Sequence, residues 1–342
     1  MSCLLFSSVF VLIFFYCAAA IPSDIKPFQV PFDGEEFDHL RQRLSAAIYP
    51  EPVPGGTNDE WSQGSPLHII KNLTDYLQRG FNWSDQVKKL NAMPQFQATI
   101  NNHTIHFVHQ RSSNKDAKPL MIIHGWPGSY WECHRIIPIL TEPQDFGGKA
   151  EHAFHVICPS IPGFGYSSKP QQRGFDQMAC ATIFSELMSV LGYEQYLLQG
   201  GDWGSIVASL QASLPSSTSR VLGLHLNMIP APPPLFKGPV AVTRLLASAL
   251  VPWLFYSPQE RDALLNVPLA ACQHSGYFLE QSTQPLTLAY GLTDSPVGLL
   301  AWITEKFYRW SDHKGDMFTW ISMDDLLTNF MIYWSTSTAG EL

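Results

Sequence analysis

The sequence predicts an α/β fold: a mostly parallel sheet flanked by helices. Three observations carry that expectation. From Pro119 to Met228, apolar runs of strand length alternate with helical stretches, the order of a parallel sheet with crossover helices. Glycine-bracketed turns end these runs at Gly125 and Gly128, at Gly163 and Gly165, and at Gly200 and Gly204. The bulk composition agrees: 342 residues, 45% hydrophobic and 13% aromatic, supply about two domains' worth of chain with a large core and exclude a disordered one. Lys plus Arg total 21 against 29 Asp plus Glu, a net charge of -8 with no basic run, which argues against nucleic acid as a partner. Cys3, Cys17, Cys133, Cys158, Cys180 and Cys272 show no paired spacing, so neither a zinc site nor a disulfide framework is indicated.

Taken in order, residues 4–20 form one uncharged apolar segment ending in Ala18-Ala19-Ala20. Residues 1–20 fit both a cleaved signal peptide and a retained membrane anchor, and either delivers the chain to the endoplasmic reticulum. Residues 21–117 lack regular strand–helix alternation. Phe37, Leu40 and Leu44 share one helical face, and Trp83, Val87 and Leu90 another. The proline- and glycine-rich residues 50–56 read as a linker. Residues 98–109 read as a hairpin turning at Asn101-Asn102. His103, His106 and His109 are strand residues rather than metal ligands, because residues three apart on a strand face opposite sides.

The alternation begins with a buried strand from Pro119 into His124-Gly125-Trp126-Pro127-Gly128, followed by a helical stretch from Tyr130 to Leu140. His124 ends its strand and must satisfy its ring nitrogens locally, a structural role. A strand from His155 to Pro159 runs into the turn Ile161-Pro162-Gly163-Phe164-Gly165-Tyr166-Ser167. A helix over 175–192 closes on Gly192. A strand ending near Leu198, a helix opening at Ser205 and a strand from Arg220 to Met228 complete this part.

Between that strand and helix lies Gly200-Gly201-Asp202-Trp203-Gly204, a small–x–acid–x–small pattern. It is the pattern of a nucleophile elbow, where a strand turns so sharply into a helix that the apex residue is held in a strained conformation. Glycine is needed on both sides because a side chain would collide there. The helix N-terminus behind the apex favours an anion. A carboxylate in that position attacks an sp3 carbon and leaves an alkyl ester, which points to epoxides or alkyl halides. The backbone N–H groups of Trp126 and Trp203 are the expected oxyanion donors for opening that ester. A tight glycine turn carrying a solvated Asp remains the alternative on the pentapeptide alone.

His124-Gly-Trp-Pro-Gly, Ile161-Pro-Gly-Phe-Gly-Tyr-Ser and Gly200-Gly-Asp-Trp-Gly together resemble the epoxide hydrolases of the α/β-hydrolase superfamily. The segment from Pro27 and the later Asp294-Ser-Pro-Val-Gly-Leu-Leu-Ala-Trp-Ile-Thr-Glu-Lys-Phe are similar to the microsomal branch. The similarity runs from about residue 26 to residue 336. It implies an N-terminal extension over 21–117, a first core part over 118–228, a helical lid over 229–320, and a resumed core from 321 to 342. It further implies hydrolysis of lipophilic epoxides to vicinal diols through an ester on Asp202, with no metal or organic cofactor. The implied location is the endoplasmic reticulum membrane, or outside the cell if the leader is cleaved. Ser275-Gly276-Tyr277 resembles the stretch holding one of two lid tyrosines, making Tyr277 the candidate proton donor; core packing with a paired hydroxyl is the competing role.

The resemblance also implies a second lid tyrosine, two more strands, an acid and a His beyond the helix that follows the lid. The sequence closes at Ser337-Thr-Ala-Gly-Glu-Leu342, with no His after His313. Three readings follow. One is an epoxide hydrolase whose chain here lacks its water-activating groups, at best a single-turnover trap with an exposed sheet edge that folds poorly. Another is a non-catalytic ligand-binding or interaction protein of the same fold. The third is a dehalogenase-like hydrolase.

Overall fold

The computed structural model describes residues 25–51, 61–229, 238–262 and 274–340. The apolar segment 4–20, most of the linker, the proline run 230–234, and Cys3, Cys17, Cys272 and Glu341 lie outside the described residues. No helix among the described residues is long and apolar enough to cross a membrane.

Seven strands form one sheet in the order β1 (Ile25–Phe28), β2 (Gln95–Ile100), β3 (His103–Gln110), β5 (Phe154–Pro159), β4 (Lys118–Ile123), β6 (Tyr196–Gly200) and β7 (Val221–Leu226). The strands from Lys118 onward pair in parallel, as the alternation predicts. The half built from β1, β2 and β3 is antiparallel, including the β3–β5 pairing, so the sheet as a whole is mixed. The predicted hairpin sets this up locally. Asn101 and Asn102 hold φ of 49° and 63°, the two left-handed positions a two-residue turn between twisted strands requires. The histidines of β3 are spent within the fold. His106 is fully buried between Ser160 Oγ and Gln95 Oε1, each at 2.9 Å, and His109 Nε2 lies 2.9 Å from the Tyr193 hydroxyl. Burial pushes both rings down to about 3, so both stay neutral.

A hydrophobic cluster that reaches one face of the sheet includes α1 (Gly34–Ser45), α2 (Leu67–Arg79) and α3 (Trp83–Asn91), with Phe37, Leu40, Leu44, Trp83, Val87 and Leu90 buried as their spacing predicts. The other face carries α5 (Gln177–Val190) and α6 (Trp203–Ser213). Residues of β5 divide accordingly: Val156 and Cys158 pack on the first side, Ile157 on the second. Asp176 caps α5 by accepting from Ala179 N at 2.9 Å. Asp176→Ala is expected to cost about 1 kcal/mol, read as a lower urea midpoint.

Two expectations are corrected. The helical stretch from Tyr130 is two pieces, a 3-10 turn at Tyr130–His134 and α4 at Ile136–Thr141. A continuous helix would put Pro138 in its interior, where the missing N–H breaks the ladder; starting again at Ile136 leaves Pro138 in a first turn, where no donor is needed. The cysteines do form a bridge: Cys133 and Cys158 are disulfide-bonded with Cα atoms 6.7 Å apart. Their separation of 25 residues forms no pattern; the parallel pairing of β4 and β5 brings the turn after β4 beside β5.

Beyond β7 come α7 (Pro239–Leu250), α8 (Pro252–Phe255), α9 (Gly276–Thr283), α10 (Pro285–Asp294) and α11 (Pro296–Trp310), in the stretch expected to form a lid. The helix α12 (Met323–Ser335) returns to the core with Leu326, Leu327, Phe330 and Met331 buried. Among the described residues β7 has no partner on its outer edge, and Leu222 and Leu224 are exposed there.

Candidate active site

In chain order β4 is followed by β5 on one side of it and β6 on the other. The crevice beyond the carboxyl ends of β4 and β6 is therefore a topological switch point, where open α/β sheets bind ligands. Two of the three glycine turns identified in the sequence, those after β4 and β6, meet there.

Asp202 sits at the end of β6 with φ 49° and ψ −125°, a conformation that side chains rarely adopt. Its neighbours are small by necessity. A Cβ at Gly200 would lie 2.2 Å from the Gly204 carbonyl oxygen, and one at Gly204 would lie 2.0 Å from the Ile123 carbonyl oxygen. Gly125 is equally constrained, since a Cβ there would lie 2.3 Å from that of Asp202. The turn after β4 thus lies directly against the carboxylate. Trp126 N donates to Asp202 Oδ1 at 2.9 Å, and the Trp203 N–H also bonds the carboxylate. Burial outweighs these donors and holds the Asp202 carboxyl above the usual carboxylate value of 3.8. An attacking carboxylate must be ionised, so adduct formation should fall as pH drops, with a midpoint above 3.8 in a single-turnover pH profile.

His124 is structural, as expected. Its Nδ1–H donates to the Gly125 carbonyl at 3.1 Å and its Nε2 accepts from Ile161 N at 3.1 Å. Burial pushes the ring down to about 4, so it is neutral. No described histidine is hydrogen-bonded to Asp202. Helix α12 clamps the turn from behind. Asn329 Nδ2 donates to Pro127 O at 2.8 Å, Ser129 Oγ donates to Asn329 Oδ1 at 2.8 Å, and Tyr333 OH donates to Gly128 O at 2.7 Å. Glu132 fills the space beside Gly128, where a Cβ would lie 1.5 Å from its Oε1. One side of Glu132 stays open to solvent, yet the protein packed around the carboxyl and the charge of Asp202 push it up to about 8. Sequence reasoning passed over Asn329, Tyr333 and Glu132, because nothing local marks residues that act on a turn far away in the chain.

Tyr277 on α9 stacks on Trp126 with ring centres 5.3 Å apart and planes at 11°. Trp126, Trp203 and Tyr277 together with Phe164 and Phe278 line a cleft of about 400 Å³. Burial first, then the charges of Asp202 and Glu305, raise the Tyr277 phenol above its ordinary value. All four residues singled out in the sequence, Asp202, Tyr277, Trp126 and Trp203, therefore meet at this one crevice.

Residues 25–133 match the family model for the epoxide hydrolase N terminus, and residues 118–288 match the alpha/beta hydrolase fold. A putative epoxide hydrolase of Stigmatella aurantiaca is 40% identical over 317 residues, which cover 93% of this chain and 68% of that protein. The chain belongs to the epoxide hydrolase family. Epoxide hydrolase 1 of Sus scrofa is 38% identical, over 94% of this chain and 72% of the relative. Among solved epoxide hydrolases, the juvenile hormone epoxide hydrolase of the silkworm Bombyx mori superposes with a TM-score of 0.81 at 31% identity, covering 93% of this chain and 75% of that one. The epoxide hydrolase of Aspergillus niger superposes with a TM-score of 0.78 at 26% identity, over 94% and 77% of the two chains.

Proposed function

We propose that this epoxide hydrolase opens lipophilic epoxides through an ester on Asp202. The observation that carries the reading is the Asp202 carboxylate at a strained elbow with the Trp126 and Trp203 N–H groups already on it. One carboxylate oxygen attacks an epoxide carbon and the C–O bond breaks. Its electron pair goes to the ring oxygen, which takes the Tyr277 hydroxyl proton. The products are a hydroxyalkyl ester and a phenolate, which regains its proton from solvent. The oxygen held by the Trp126 N–H then becomes the ester carbonyl, so that donor, with the Trp203 N–H beside it, holds the oxyanion when water adds. Release of the diol restores the aspartate. The described residues supply the groups for forming the ester. No described histidine is hydrogen-bonded to Asp202 to serve as base for the water step.

The apolar lining of the cleft supports aryl, alkenyl or terpenoid epoxides as the substrate class. The uncharged segment 4–20 supports delivery to the endoplasmic reticulum membrane. The test is intact-mass spectrometry of the chain after incubation with a lipophilic aryl epoxide. A gain equal to the epoxide mass, mapped to the peptide holding Asp202, supports the ester. Binding without a mass gain would leave only a ligand-binding role, and halide release from an alkyl halide would favour dehalogenation.

A further inference from the structure

On α11, Trp302, Lys306 and Trp310 recur every four residues and so share one face. Lysine is rarely buried, yet the Lys306 side chain is only 8% exposed. Its Nζ stands 4.8 Å from the centre of the Tyr277 ring, 5.1 Å from that of Trp302 and 5.7 Å from that of Trp310. Its carboxylate partner is Glu305, which also lies 3.9 Å from Arg309 Nε. Glu305 is thus shared between Lys306 and Arg309.

A methionine could fill this space without the cost of burying a charge, so retention of the ammonium asks for a reason. Tyr277 supplies one. A half-buried phenol facing the negative charges of Asp202 and Glu305 is a reluctant acid, because giving up its proton places a third negative charge among them. A cation over the ring offsets that charge as it develops. We propose that Lys306 is a positioning residue for Tyr277, holding the ring in its aromatic box and favouring release of the phenol proton to the opening epoxide. The proposal rests on the reading of Tyr277 as proton donor. It adds a residue that touches neither substrate nor nucleophile.

The test is a titration of Tyr277 in the full chain labelled with 3-fluorotyrosine, whose more acidic phenol ionises before the fold is lost. Tyr277→Phe identifies the fluorine signal. Lys306→Met keeps the stem and removes the charge, so Tyr277 should titrate about one pH unit higher, the size of a desolvated cation–π contact. Lys306→Arg should return it towards wild type. Lys306→Gln, which also removes the charge, should shift the titration the same way as Lys306→Met and keeps the test decisive even if that variant fails to fold. An unmoved titration in a folded Lys306→Met or Lys306→Gln overturns the proposal. Ester formation measured by intact mass should slow up to about tenfold in Lys306→Met. If Tyr277→Phe forms the ester as fast as wild type, the proton-donor reading fails, while the titrations still decide whether Lys306 acts on the ring.

Discussion

Asp202→Asn is expected to abolish ester formation with a lipophilic epoxide while raising the thermal stability of the chain. The first effect follows from removing the attacking oxygen: losing a nucleophile typically lowers the rate by about 10⁴-fold or more. The second follows from the electrostatics of the elbow. Burial holds the folded Asp202 carboxyl above its ordinary value of 3.8, so the ionised form is disfavoured in the folded state. A carboxyl raised on folding opposes stability at neutral pH, and that penalty is lost as pH falls from the folded value to the unfolded one. Replacing it with a neutral amide should raise the melting temperature at pH 7 and leave it nearly unchanged near pH 3. Asparagine also tolerates the positive φ of 49° at this position. A mass adduct that persists in Asp202→Asn would sink the assignment of the nucleophile.

Gly204→Ala is expected to be among the most damaging single-methyl additions in the protein. The added Cβ would lie 2.0 Å from the Ile123 carbonyl oxygen and 2.7 Å from the His124 carbonyl oxygen. Both are backbone atoms at the end of β4, so no side chain can swing away to make room. Relief requires α6 to move away from the sheet, at about 3 kcal/mol by analogy with overpacked cores. The movement would also pull the Trp203 N–H off the Asp202 carboxylate. The urea midpoint should drop and adduct formation should fail together. Gly291→Ala provides the control: nothing lies within 4 Å of a Cβ there, and the position is helical. It should be neutral or slightly stabilising. Equal midpoints for the two variants would contradict the close approach of β4 and α6.

What was legible in the sequence was what is local. The elbow reads from five residues because sterics around Asp202 force glycine at fixed offsets. The hairpin reads from Asn101-Asn102 because few residues adopt two successive positive φ angles. The helical faces read from spacing because burial repeats with the turn of the helix. Pairings across the chain were not legible. The short strand β1 carries no alternation of its own and exists by pairing with β2, whose residues follow about 70 positions later. Cys133 and Cys158 meet only once β4 and β5 lie side by side. The Lys306 box combines residues of α9 and α11, which no local pattern joins.

The clamp on the turn after β4 has a consequence for when the catalytic geometry comes into being. The partners of Pro127, Gly128 and Ser129 lie 200 to 205 residues further along the chain. During synthesis from the N-terminus, strand β4 and its turn leave the ribosome long before Asn329 and Tyr333 exist. The elbow, by contrast, closes within a handful of residues. The two N–H groups facing Asp202 therefore differ in origin: that of Trp203 arrives with the helix it begins, and that of Trp126 is fixed only when α12 docks. Reactivity in this chain is accordingly a late event of folding, withheld until the residues of α12 have been made.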